Sequence, residues 1–204
     1  MIVKVCGLRD PGNIRMVEKA GPDWFGFIFY PRSPRFVEST PGYLPERGRR
    51  IGVFVGSTRE EILSKAEEYG LWGVQLYGSS PDLCSSLRNE GLVVIRAFGA
   101  TGDLDSLTGE YHGKVDYFLF DTPTKGYGGS GRSFDRSVLD SYSGPEPFIL
   151  SGGLNPGSLE DILSLRYPLL AGVDLNSGFE TSPGVKDAVS LGRFIGELRD
   201  RTKQ

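Results

Sequence analysis

The chain has 204 residues, 38% hydrophobic and 11% aromatic, enough for one packed domain and at the short end for an eight-stranded parallel barrel. A formal charge of −3 gives no reason to expect nucleic acid or an anionic membrane as the main partner, so an anionic ligand would need a local basic patch. The start, MIVKVCGLRD, has no basic leader followed by a long apolar run, and no stretch is long and apolar enough to span a membrane. The two cysteines, Cys6 and Cys84, lie far apart, so the expectation is a reduced, cytoplasmic protein without disulfides.

In chain order, apolar runs predict strands at 2–6, 23–29, 51–55, 72–76, 92–98, 115–121, 147–151 and 171–175. Amphipathic stretches predict helices at 11–21, 58–70, 80–91, 133–142, 155–165 and 183–204, several opened by Ser, Thr or Asn and closed by Gly. Residues 38–50 carry two prolines and two glycines, which predicts a short or irregular second helix. The polar stretch 101–114 predicts a weak fifth helix. Strand and helix alternate eight times with no composition break, linker or low-complexity segment, and no sequence repeat relates the halves. That pattern predicts an α/β protein of one domain, 1–204, with a parallel sheet. Periodicity alone does not separate a closed barrel from an open doubly wound sheet; the count of eight favours the (β/α)8 barrel.

In such barrels the working residues sit at the C-terminal ends of the strands and in the loops that follow. The candidates are then Cys6 after strand one, the loop 30–37 with Arg32 and Arg35, Gln75, Asp121, SGGL at 151–154 and DLNSG at 174–178. Each has a plainer reading. A free cysteine is most often a small buried hydrophobe, as Cys84 is expected to be. A strand-end aspartate can cap a helix, and a loop arginine is usually solvated. Strand parity places Lys4 on the same side as Cys6, one layer down. A buried ammonium needs a counter-charge, and Asp174 on the neighbouring eighth strand can supply it; otherwise Lys4 leaves through the barrel floor. Gly152, Gly153, Asn176, Ser177 and Gly178 follow two successive strands, a place where backbone N–H groups often hold a phosphate. The Gly-rich segment TPTKGYGGSGRSF after Asp121 reads as a lid or as a plain connection. The only histidine, His112, is read as a solvated side chain, which disfavours histidine-based catalysis and histidine-rich metal sites.

The stretches KVCGLRDPGNIRMVEKAGPDWFGFIFYPRSPRFV, GVFV, GVQLYG, FDTPTKGYGGSGRSFD, SGGLNP and VDLNSGFETSPGVKD resemble the phosphoribosylanthranilate isomerase family. The resemblance runs from Lys4 to about Asp187. It implies a single-domain TIM barrel and an Amadori rearrangement of N-(5′-phosphoribosyl)anthranilate in tryptophan biosynthesis, with a small-molecule substrate, no cofactor, no metal and no obligatory protein partner. By the same resemblance Cys6 is the base, Asp121 the acid and Arg35 the anthranilate-binding residue. Gly152, Gly153, Asp174, Asn176, Ser177 and Gly178 border the substrate. Two positions depart from the family: Tyr77 stands where many relatives have His, and Asn176 where they have Ser. The alternatives are a bifunctional isomerase that also serves histidine biosynthesis and a non-catalytic phosphate-binding barrel. The first would carry Asp at the first strand end and a half-barrel repeat; the second would not retain both Cys6 and Asp121.

Overall fold

The apolar runs become strands because both faces of each are covered: helices pack outside and side chains from the opposite strands pack inside. The computed structural model describes residues 1–122 and 136–202. Its strands are β1 (Ile2–Val5), β2 (Trp24–Ile28), β3 (Arg49–Val55), β4 (Gly73–Tyr77), β5 (Val93–Gly99), β6 (Tyr117–Asp121), β7 (Phe148–Leu150) and β8 (Leu170–Leu175). They pair in parallel in sequence order, and β8 returns to β1, so the sheet is a closed barrel and not an open one. The closing register puts Ile2 opposite Gly172 and Lys4 opposite Asp174.

Around the barrel lie α1 (Pro11–Ala20), α2 (Arg59–Tyr69), α3 (Pro81–Asn89), α4 (Leu104–Thr108), α5 (Leu159–Ser164) and α6 (Ala188–Thr202). Local chemistry sets their ends. Asp10, Thr58 and Ser80 each accept a backbone N–H of the first turn of α1, α2 and α3, and Thr58 completes a reciprocal box with Glu61. Gly21 and Gly70 close α1 and α2 in left-handed conformation. Ile14 and Val17 of α1 and Leu191, Phe194, Ile195 and Leu198 of α6 are buried in the layer between strands and helices. No helix of the described residues is long and apolar enough to cross a membrane.

Three connections differ from the sequence pattern, and a fourth, after β5, carries the weak helix expected there. Between β2 and β3 there is no helix: residues 31–48 run as turns, with Pro31, Pro34, Pro41 and Pro45 unable to donate to a helical ladder. One bridge, Ile28 to Phe36, pins this stretch to the barrel. After β5 the helix shrinks to α4 and a 3-10 turn at Gly109–Tyr111. The described part of the helix expected at 133–142 is a 3-10 helix, Arg136–Ser141. Finally, the helix expected from residue 183 starts at Ala188. Before it lie two short antiparallel strands, β9 (Glu180–Ser182) and β10 (Val185–Lys186), joined through Pro183 and Gly184. Gly184 has a φ of 83°, so Pro-Gly here turns a hairpin and does not open the helix.

Inside the barrel, one apolar layer comprises Trp24, Ile51, Ile95, Ala97, Leu119 and Ile149. Trp24 meets Trp72 and Tyr117 with ring centroids 5.4 and 5.3 Å apart, which plugs the N-terminal end. The polar residues are left to the other end.

Candidate active site

A cavity of about 670 Å³, open to solvent, lies at the C-terminal end of the barrel. Cys6, Gln75, Tyr77, Asp121 and Asp174 line it from below, with Ser151, Gly152, Gly153, Asn176 and Ser177 along one side. Tyr30 and Ser33 border it from the β2 loop.

Lys4 faces the interior beneath Cys6, and its ammonium lies 2.9 Å from Oδ1 of Asp174 with both side chains buried. Burial opposes the Lys4 charge, but Asp174 and then Cys6 more than offset it, and its pKa is raised. Cys6 itself is 3% exposed. Burial pushes its thiol up; Lys4 pulls down, Asp174 pushes up and Lys186 pulls down. Lys4 thus acts to acidify this thiol, but burial outweighs it. Room for Cys6 comes from β2: a Cβ on Gly26 would sit 2.7 Å from Sγ and 2.9 Å from the Cys6 backbone.

Asp121 ends β6 across the mouth. Its Oδ1 accepts the N–H of Thr122 at 2.8 Å, and its Oδ2 accepts from the Tyr77 hydroxyl at 3.4 Å. Burial and the charge of Asp174 push its pKa up to about 6, against Thr122, Tyr77 and Lys4, which lower it. The loop after β7 packs on this corner. Gly152, at φ 90°, leaves no room for a side chain beside Thr122.

Asn176 and Ser177 reach the cavity from the β8 loop, whereas Gly178 does not line it and packs against the carbonyl of Leu154, joining the two loops. Arg35 is 7% exposed and lies outside the cavity lining, its stem crossing Gly7 beside Asn176. Its Nε and Nη2 donate to Glu180 at 2.9 and 2.7 Å, a two-pronged pair. Lys186 shares Glu180 at 2.6 Å and donates to Asn176 Oδ1 at 2.6 Å. Burial raises Glu180, but Arg35, Lys186 and the Gly184 N–H together bring it below the usual range. Asn13 of α1 holds β10 by both backbone groups of Lys186 at 2.8 Å.

Sequence reasoning did not single out Glu180 and Lys186. The signal was a Ser-Pro-Gly turn flanked by opposite charges, which reads as a hairpin once Pro-Gly is taken as a turn. Tyr77 was seen only as a departure; its parity with Gln75 would have placed it in the mouth. Cys84 is buried in the core. His112 is not simply solvated: its Nδ1 lies 2.7 Å from Glu146, and its side chain is one-third exposed. The Gly-rich segment after Thr122 lies outside the described residues. Among the described residues no three His, Cys, Asp or Glu side chains are grouped to hold a metal ion.

Residues 3–197 match the family model described as N-(5′-phosphoribosyl)anthranilate (PRA) isomerase. The chain is 51% identical over 203 residues to the N-(5′-phosphoribosyl)anthranilate isomerase of Phocaeicola vulgatus, covering 98% of this chain and 99% of that protein. The crystal structure of phosphoribosyl anthranilate isomerase from Thermus thermophilus superimposes with a TM-score of 0.83 at 29% identity, over 98% of this chain and 99% of that one. Another, solved with reduced 1-(o-carboxyphenylamino)-1-deoxyribulose 5-phosphate, gives 0.78 at 30% identity over 98% and 100%. The chain belongs to the N-(5′-phosphoribosyl)anthranilate isomerase family.

Proposed function

We propose that Cys6 and Asp121 serve as general base and general acid in the conversion of N-(5′-phosphoribosyl)anthranilate to 1-(2-carboxyphenylamino)-1-deoxy-D-ribulose 5-phosphate, an Amadori rearrangement of tryptophan biosynthesis. The observation that carries this reading is that both side chains, from β1 and β6, line one cavity of a barrel of this family. Opening the furanose requires a proton on the ring oxygen as the C1′–O bond breaks, while the amine lone pair forms an iminium. That cation acidifies the C2′ proton; a base removes it to give the enolamine, which tautomerises to the ketone. Asp121, pushed up to about 6 by burial and by the charge of Asp174, is protonated far more often near neutral pH than an ordinary carboxylic acid, and its acid form is the one that gives the proton. Burial favours the Cys6 thiol; Lys4 and an adjacent iminium favour its thiolate, which is the form that takes the C2′ proton, the thiol's own proton having gone to solvent.

The phosphate sits at the loops after β7 and β8, on backbone N–H groups of Gly153, Ser177 and Gly178, with Gly152 allowing the approach. Asp174 and Asn176 border the sugar. Arg35, with two edges fixed by Glu180, keeps further donors for the anthranilate carboxylate. The protein works as one domain, 1–204, on a small molecule, with no cofactor, metal, nucleic acid, membrane or obligatory partner in the scheme. Its setting is the cytoplasm, in keeping with two buried thiols, Cys6 and Cys84, that form no disulfide.

One observation favours an exchange of roles: burial raises Cys6 while Asp121 lies near 6, which sets a thiol opposite a mainly ionised carboxyl at neutral pH. Turnover of freshly made phosphoribosylanthranilate, followed by fluorescence, tests both readings. Cys6→Ser and Asp121→Asn should each lower kcat by about 100- to 10,000-fold with little change in binding. In the pH profile, Asp121→Asn should lose the limb that needs a protonated group; loss of the other limb means the roles are exchanged. Near wild-type turnover by Cys6→Ser rejects both.

A further inference from the structure

Gln75 is 2% exposed and lines the cavity. Its Nε2 donates to the Tyr77 hydroxyl oxygen at 3.2 Å, yet its Oε1 is buried with no hydrogen-bond partner among the described residues. A buried carbonyl left unmet is a cost that needs a reason. The Tyr77 hydroxyl, accepting from Gln75, turns its own proton to Asp121 Oδ2 at 3.4 Å. With Thr122 on Oδ1, both Asp121 oxygens then accept, which is the arrangement of a carboxylate.

The acid form needs the opposite. A proton on Oδ2 that is to go to the sugar ring oxygen must not compete with the Tyr77 hydrogen. If the Gln75 amide turns over, Oε1 becomes the acceptor for that hydrogen, and Oδ2 is freed. We propose that Gln75 and Tyr77 are positioning residues forming a reversible hydrogen-bond chain that parks the Tyr77 hydrogen on Gln75 while Asp121 is the acid and returns it to Asp121 once the proton has been given up. Only hydrogen bonds move in the chain; the transferred proton passes from Asp121 to the ring oxygen. Among the described residues, the other groups facing Asp121 are Lys4 and Cys6 from the β1 side and Asp174 from β8, while β5 offers Gly99 and the end of β7 offers Ser151, neither charged.

This inference rests on Asp121 being the acid, and the test separates the two. The kcat–pH profile is measured for the wild type, Asp121→Asn, Tyr77→Phe and Gln75→Met, with circular dichroism checking that each folds. If Asp121 is the acid, Asp121→Asn removes the alkaline limb; if the limb survives, that reading fails. Given its loss, Tyr77→Phe deprives the carboxylate of a donor and should move the limb up by about half a pH unit. Gln75→Met removes the parking site, tips Tyr77 toward Asp121, and should move the limb down. Opposite shifts support the chain. If both variants lower kcat with the limb in place, or both shift it the same way, the chain is wrong although the acid assignment stands.

Discussion

At the N-terminal end of the barrel Trp24, Trp72 and Tyr117 lie ring against ring. Toward the other end of the barrel, the inward positions of β1, β4, β6 and β8 and of the residue after β1 carry Lys4, Cys6, Gln75, Tyr77, Asp121 and Asp174. The first group gains free energy by leaving water, and its geometry follows from volume and ring contact. The second is buried at least as deeply but consists of groups that water would hold better, and it persists by mutual pairing, Lys4 on Asp174 and Tyr77 on Asp121, with Glu180 under Arg35 and Lys186 beside it. The apolar floor supports a mouth that is electrostatically expensive, which is where catalytic groups acquire unusual proton affinities.

Substitutions at each end should separate the two. Trp24→Ala opens the floor, and thermal or urea unfolding should show a loss of about 3–5 kcal/mol. The folded fraction should keep its kcat; a fall of 100-fold or more would mean the floor and the mouth are not separable. Next in size, Arg35→Lys keeps the charge but loses the fork, and kcat/KM should drop by the equivalent of about 1.5–3 kcal/mol. Unchanged kinetics would remove Arg35 from the substrate.

The smallest effect carries the sharpest sign. Asp121 titrates at about 6 in the fold against an ordinary 3.8. The folded protein thus holds this proton more tightly than the unfolded chain does, so its contribution falls as pH rises from about 4 to about 6 and stays a cost above that. Asparagine removes the cost. Asp121→Asn should be more stable than the wild type at pH 8, by about 1–3 kcal/mol, with the advantage gone near pH 4. A variant both inactive and less stable at pH 8 would contradict the burial account of Asp121.

The contrast between the ends also explains what the sequence could reveal. The eight strands were legible because burial on both faces leaves near-continuous apolar runs, as in VDYFLFD. Lys4 with Asp174 was legible because parity and barrel closure are geometric. The connections were less so. Residues 31–48 carry enough proline to forbid a helix but nothing that specifies the turns. Glu180 and Lys186 lie six residues apart, and their meeting over Asn176 depends on the β9–β10 hairpin and on Asn13 from the far end of the chain. Such contacts depend on tertiary placement, which no local pattern encodes.

The central claim is that Cys6 and Asp121 flank the sugar while the loops after β7 and β8 hold its phosphate. A crystal structure of this protein with reduced 1-(o-carboxyphenylamino)-1-deoxyribulose 5-phosphate tests it directly. The account predicts the phosphate on the N–H groups of Gly153, Ser177 and Gly178, the ring carboxylate on Arg35, and Cys6 Sγ and an Asp121 oxygen on opposite sides of the sugar chain, each within about 3.5 Å of it. A phosphate bound elsewhere in the mouth, or a sugar that reaches only one of the two side chains, would contradict it.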